Sequence, residues 1–125
     1  MVLKMTLKKK WFDMILSGDK KTEYREAKPY WVKRLFDYKD IDATPESFLD
    51  ALITKKYPMF YYQKRFTHIH FFNGGHYSDK LPNFIIELEE TYYGKGVEDW
   101  GAEKGKEYLS LCLGKVTQTF NCNKN

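Results

Sequence analysis

The chain has 125 residues, of which 42% are hydrophobic and 18% aromatic; this is one domain's length, and the apolar content excludes intrinsic disorder. Its formal charge of +4 is uneven: residues 1–39 hold eleven Lys/Arg against five Asp/Glu, and residues 40–125 hold ten against twelve. A basic third on a near-neutral remainder is the footprint of a phosphate-bearing partner, although lysines that only keep a helix soluble leave the same mark.

No stretch is apolar over the roughly 20 residues a membrane helix needs, and Lys8, Lys9 and Lys10 interrupt the only candidate leader, so neither membrane contact nor a secretion signal is expected. The two cysteines, Cys112 in an apolar strand pattern and Cys122 in a polar tail, make no disulfide framework and point to a reducing, cytoplasmic compartment.

Leu3–Leu7 alternates apolar and polar side chains and reads as a short strand. From Lys9 to Ser17 the period lengthens. Trp11, Met14 and Ile15 fall at i, i+3 and i+4, which predicts a helix of two turns closed by Gly18 in the left-handed region. Lys21–Ala27 reads as a strand, and Pro29 as the first residue of a helix over Tyr30–Phe36. Thr44-Pro45 predicts a further helix, with the threonine hydroxyl as N-cap; Phe48, Leu49, Leu52 and Ile53 carry it to Lys56 or Tyr57, before Pro58. Thr67–Phe72 and Asn83–Glu90 read as strands. Tyr93–Gly105 reads as a glycine-rich loop around Trp100. Tyr108–Leu113 reads as a strand that continues toward Phe120 past an irregularity at Gly114.

Neither repeat nor linker interrupts this order, so one domain is expected over residues 1–120, with 121–125 fraying. The fold class expected is α+β: mainly antiparallel strands in a small, twisted, partly closed β-barrel, with several short helices packed against it. Trp11, Ile15, Leu35, Leu49, Ile69, Phe71, Ile86, Leu109 and Leu111 carry the apolar phase of their elements and form the expected core.

The segment Gly18-Asp19-Lys20-Lys21-Thr22-Glu23-Tyr24-Arg25 concentrates charge at a helix-to-strand junction. On a strand starting near Lys21, Lys21, Glu23 and Arg25 share one side, and a carboxylate two residues from an arginine can hold the guanidinium fork against a phosphate or a base edge. Lys20, still in the turn, would reach the same point as a mobile, solvated cation. The structural alternative is an edge strand whose charges guard against aggregation.

The run Gly-x-Lys-x-x-Glu-x-Arg, followed by Pro29-Tyr30-Trp31, resembles the signature of the ASCH domain family. The likeness extends to Leu7–Leu16, to Gly94-x-Gly96-x-x-x-Trp100-Gly101 with Gly105-Lys106-Glu107, and to the last strand. The resemblance implies a PUA-like barrel and a cleft lined by Lys20, Glu23 and Arg25. It also implies binding of RNA or a nucleotide. Some small relatives hydrolyse the amide of acetylated cytidine with a lysine, a threonine and a later glutamate. Lys20 matches that lysine, Glu23 stands where the threonine would, and Thr22 should face the other way. Glu87 or Glu89 would supply the later carboxylate. The catalytic candidates are therefore Lys20, Glu23, Glu87 and Glu89.

Lys8, Lys9 and Lys10 oppose the dipole at the start of the first helix, so helix stability does not explain them, whereas phosphate contact would. Together with Lys20, Lys21, Arg25, Tyr77 and Trp100 they are the ligand-binding candidates. His68, His70 and His76 lack a cysteine or acid at short ligand spacing, so no metal and no cofactor are expected. Gly94–Gly105 lacks the strand–turn–helix context of a phosphate loop. The function expected is an RNA- or nucleotide-binding domain, with hydrolysis of a modified nucleoside as a further activity. The alternative is a protein-interaction module docking through aromatics among residues 57–66.

Overall fold

Leu3, Met5 and Leu7 alternate with more exposed neighbours, so the first strand, β1 (Val2–Leu7), buries one face. The elements that follow are α1 (Lys9–Ser17), β2 (Thr22–Arg25), α2 (Pro29–Leu35), α3 (Pro45–Ile53), β3 (His68–Asn73), β4 (Asn83–Lys95), a 3₁₀ turn (Glu98–Trp100) and β5 (Glu107–Phe120). This computed structural model describes residues 1–55 and 62–122. The helix end expected at Lys56 or Tyr57, most of the aromatic run expected to dock a partner, and the last three residues of the tail lie outside the described residues.

The strands form one five-stranded sheet in the order β1-β3-β4-β5-β2. β1 runs parallel to β3, with Leu3 opposite Ile69 and Met5 opposite Phe71, and β3 runs antiparallel to β4, with Ile69 opposite Ile86. This overturns the expected PUA-like, partly closed barrel. The sheet is open, with β1 and β2 at its two ends. The long connection between β1 and β3 permits a parallel pairing that no hairpin could make. Beyond Gly114, β5 is largely exposed from Lys115 to Phe120, so its far half has no packed face on which a barrel could close.

The chain divides into two compact units, one of Met1–Glu23, Phe66–Glu90 and Leu111–Asn125, the other of Tyr24–Arg65 and Thr91–Ser110. In the first, Phe12 and Ile15 of α1 are buried, and the Phe12 ring meets Phe84 edge-on at 4.8 Å. Phe71 in turn lies 5.6 Å from Phe84. One sheet face, carrying Leu3, Met5, Ile69, Phe71, Phe84 and Ile86, is thus the core layer beneath α1. Asn121 and Cys122 are tied to this unit by hydrogen bonds from the Asn121 amide to the Asp79 carbonyl and from the Cys122 thiol to the Asn83 carbonyl.

In the second unit the core centres on Phe48, fully buried and ringed by Phe36, Tyr38 and Tyr62. Thr44 caps α3 as expected, and Ser47 completes a reciprocal capping box. α3 turns Phe48, Ala51 and Leu52 inward, an i, i+3, i+4 stripe that leaves Leu49 only half-buried. Trp11, also expected in the core, is half-buried as well; the other seven core positions are buried. The glycine-rich segment is more ordered than a loop. β4 runs through Gly94 to Lys95, and the Tyr24 and Tyr108 hydroxyls accept from the Val97 and Glu103 N–H groups. A Cβ on Gly96 would stand 2.6 Å from Ala102 Cβ and 2.8 Å from the Tyr24 ring, so that position admits no side chain without displacement.

Candidate functional site

α1 ends at Gly18, whose φ of 91° reverses the chain, and the Lys20 N–H then donates back to the Met14 carbonyl at 2.9 Å. That second bond folds the turn onto the helix and carries the Lys20 side chain inward. Its Nζ lies 3.1 Å from Glu23 Oε1 and 4.2 Å from the centre of the Trp11 indole, with the Lys20 and Glu23 side chains only 2% and 7% exposed. Lys10 approaches the same indole at 4.8 Å. The expectation of a mobile, solvated Lys20 is therefore corrected. Sequence spacing does not reveal the backbone bond that buries it.

Desolvating an ammonium costs several kcal/mol, offset in part here by the Glu23 carboxylate and by the Trp11 quadrupole, the latter worth about 2 kcal/mol when dry. Lys20 also lines a cavity of about 160 Å³ with Ile15, Gly18, Lys21, Ile86 and Leu113. Ligand pockets generally begin at about 300 Å³, so this one accommodates a single ring or a single phosphoryl group.

Strand alternation sorts the remaining candidates of the first unit. Lys21 precedes β2 and is exposed, with its carbonyl accepting from Leu113 N–H at 2.9 Å; it does not share the burial of Glu23. Thr22 hydrogen-bonds the Cys112 thiol, whose pKa is raised by burial and then by the charge of Glu90. Glu87 and Glu89 flank Gly114, where a Cβ would meet their carboxylates at 2.8 and 2.9 Å. Glu87 also accepts from the Lys115 N–H at 3.0 Å. Residues 87 and 89 alternate with Ile86, which lines the Lys20 cavity, so they occupy the other sheet face. The structure brings together Lys20, Glu23 and Trp11, and it does not bring Glu87, Glu89 or the Thr22 hydroxyl to them.

At the helix start, Lys8 is exposed and Lys9 pairs with Asp13 at 2.5 Å on the surface. Tyr77 is exposed on the sheet face away from α1, its hydroxyl donating to the Lys4 carbonyl at 3.2 Å. His70 sits on that face too, stacked on Phe72, its Nε2 2.7 Å from Asn83 Oδ1. Asn83 is buried and donates its amide to the Leu81 carbonyl, which fixes the amide orientation and makes His70 Nε2 the protonated nitrogen. Among the described residues, no group of three His, Cys, Asp or Glu is placed to hold a metal ion.

Arg25 belongs to the second unit, its guanidinium 5.0 Å from the Trp31 ring centre. Trp100 is half-buried in the 3₁₀ turn of that unit. Sequence reasoning assigned no role to Trp11 beyond the core, nor any to Tyr30 or Trp31. The signal available was an aromatic within a few residues of each basic cluster. Among the described residues, no helix is long and apolar enough to cross a membrane. Compared with family models, with curated proteins and with solved structures, the chain matches none.

Proposed function

We propose that the first unit binds a nucleoside or nucleotide, free or within RNA, by holding one ring or one phosphoryl group in the cavity beside Lys20. The observation that carries this reading is that Lys20, buried against Glu23, lines a small cavity whose wall mixes polar and apolar groups. A charge kept at such cost is best used where water is excluded, because it then attracts a phosphate or carbonyl oxygen far more strongly than a surface lysine does. Glu23 fixes the ammonium, and Trp11 shields it. The likeness of Gly18–Arg25 to the ASCH signature points to the same class of ligand.

Binding is favoured over turnover. The Thr22 hydroxyl and the Glu87 and Glu89 carboxylates lie on the opposite sheet face, leaving Lys20 and Glu23 without the hydroxyl nucleophile that amide hydrolysis in the related enzymes uses. A reducing, cytoplasmic setting suits this role, since Cys112 and Cys122 are both unbridged.

The test is calorimetric titration of the full chain with a panel of nucleosides, modified nucleosides and mononucleotides. Val116 also lines the cavity, and Val116→Trp should fill it and abolish binding. The double variant Lys20→Met/Glu23→Leu removes both charges of the pair and should weaken binding by about tenfold or more. Affinity unchanged in both variants, or a parent protein that binds none of the panel, refutes the reading.

A further inference from the structure

We infer that the first unit carries a second ligand site, beside His70, that holds a small organic cation: an ammonium or guanidinium group on a compact apolar body. The site is a cavity of about 440 Å³ lined by His70, Asp79, Asn83, Phe120 and Asn121. All five belong to the first unit, and none of them lines the Lys20 cavity. Small-molecule pockets begin at about 300 Å³, so this cavity takes a whole small ligand where the one beside Lys20 takes a single ring.

The hydrogen bonds within the lining decide what its polar atoms can offer. Asn83, buried, turns its amide nitrogen to the Leu81 carbonyl at 2.7 Å, and its Oδ1 accepts from His70 Nε2 at 2.7 Å. With the proton on Nε2, Nδ1 of the neutral ring is an acceptor. Asn121 stands in the left-handed region with a φ of 56°, which asparagine tolerates, and its amide nitrogen donates to the Asp79 carbonyl at 2.8 Å. That leaves Asn121 Oδ1 as an acceptor beside the Asp79 carboxylate. Among the described residues, neither of these two groups has a hydrogen-bond or ion-pair partner. The lining thus offers a carboxylate, an amide oxygen and a ring nitrogen, all of which accept.

The rings favour the same ligand. His70 and Phe120 stand 6.1 Å apart at 43°, too close for a third ring to slide between them, and Phe120 is 42% exposed. The face of an aromatic ring attracts a cation. Lys4 shows this on the same surface: opposite His70 in the β1–β3 register, it holds its ammonium 5.9 Å from the Phe72 ring on which His70 stacks. Lys4 itself does not line the cavity. An anion would meet acceptors and a like charge, and a neutral ring would gain nothing from Asp79. The N–H donors of a cation engage the carboxylate and the amide oxygen together, in the stronger, charge-assisted form.

The experiment uses three probes of one shape, benzamidine, benzamide and benzoate, which are cationic, neutral and anionic. Each is titrated into the full chain, buffered above the ordinary histidine range, and followed by two-dimensional amide NMR. Benzamidine should bind at millimolar concentration, at least about tenfold more tightly than benzamide, and benzoate should not bind; the shifts should centre on His70, Asn83 and Phe120. Asp79→Asn keeps the shape, removes the charge, and should weaken benzamidine about tenfold while leaving the affinity for benzamide as it was. Phe120→Ala should weaken both. Circular dichroism should be unchanged in these two variants, since both side chains are exposed. A blocked arginine tripeptide distinguishes the sources of such a cation: tighter binding than benzamidine assigns it to a peptide side chain, weaker binding to a separate small molecule. The proposal is overturned by a parent that binds no benzamidine, by benzamide binding as tightly, or by unchanged benzamidine affinity in Asp79→Asn. Loss of benzamidine binding in Val116→Trp also overturns it, because the cation would then sit in the Lys20 cavity.

Discussion

Two lysine–glutamate pairs show how position changes the meaning of one interaction. In the first unit, Lys20 and Glu23 meet at 3.1 Å with side chains 2% and 7% exposed. In the second, Lys106 and Glu26 meet at 2.5 Å with side chains 38% and 45% exposed. The shorter contact is the less consequential one, because solvent already stabilises both of its charges when they are apart. The longer contact has no such alternative: with both side chains out of water, its charges must be balanced within the protein. Separation alone is thus a poor guide to which pair the fold depends on.

The largest test of that contrast is Lys20→Ala. It removes the cation that faces the buried Glu23 carboxylate, and should lower unfolding free energy by about 3–5 kcal/mol, read from urea denaturation. The double variant Lys20→Met/Glu23→Leu should recover most of the loss. Equal midpoints for Lys20→Ala and the parent would show that the corner hydrates freely and would remove the contrast.

A smaller effect is expected at Gly96. Alanine there meets Ala102 and the Tyr24 ring, and overpacking of this kind costs about 1–3 kcal/mol. An unchanged midpoint would mean that the Tyr24 ring moves aside readily.

The exposed pair should be visible mainly in its titration. The ammonium of Lys106, and then that of Lys28, hold the Glu26 carboxyl at about 2, below its ordinary 4.5. A carboxyl whose folded value is depressed stabilises the fold above its ordinary range and loses that contribution as pH falls through the range toward 2. For Lys106 the direction is opposite. Its hydrogen bond to Glu26 raises the amine's value, so the contribution is present below the ordinary lysine range and is lost as pH climbs past the raised value. Carboxyl NMR on Lys106→Met should find Glu26 shifted back toward 4.5, though still held down by Lys28. A Glu26 value unmoved by that substitution would show that Lys28 alone sets it. Smallest of all, Lys9→Ala removes an exposed i, i+4 pair with Asp13 and should change stability by no more than about 0.5 kcal/mol.

What the sequence made legible follows the range of each cause. Helix α1 and its Gly18 cap, Pro29 opening α2, and Thr44 capping α3 were readable because local sequence decides them. β4 was read too short, because Tyr92, Tyr93 and Gly94 look like loop; their strand pairing depends on distant residues. The open sheet was not readable, since the parallel pairing of β1 with β3 is a long-range choice that alternation does not encode. At the candidate site, the charged cluster was visible, but its division was not. Alternation did place Thr22 opposite Glu23. The burial of Lys20, however, rests on one backbone bond to Met14, and Trp11 joins it through a helix face that had been assigned to the core.

The parallel pairing of β1 with β3 also bears on how the chain reaches its fold. Val2 pairs with His68 and Leu7 with Asn73, so β1 is synthesised well before its partner. Until β3 follows, Leu3, Met5 and Leu7 have no strand beside them, and the intervening helices must be made first. Late, non-local closure of this kind slows folding and prolongs the exposure of an unpaired strand. β1 is therefore completed only once β3 has been made, and a nascent chain halted before β3 would present β1 as a sticky edge.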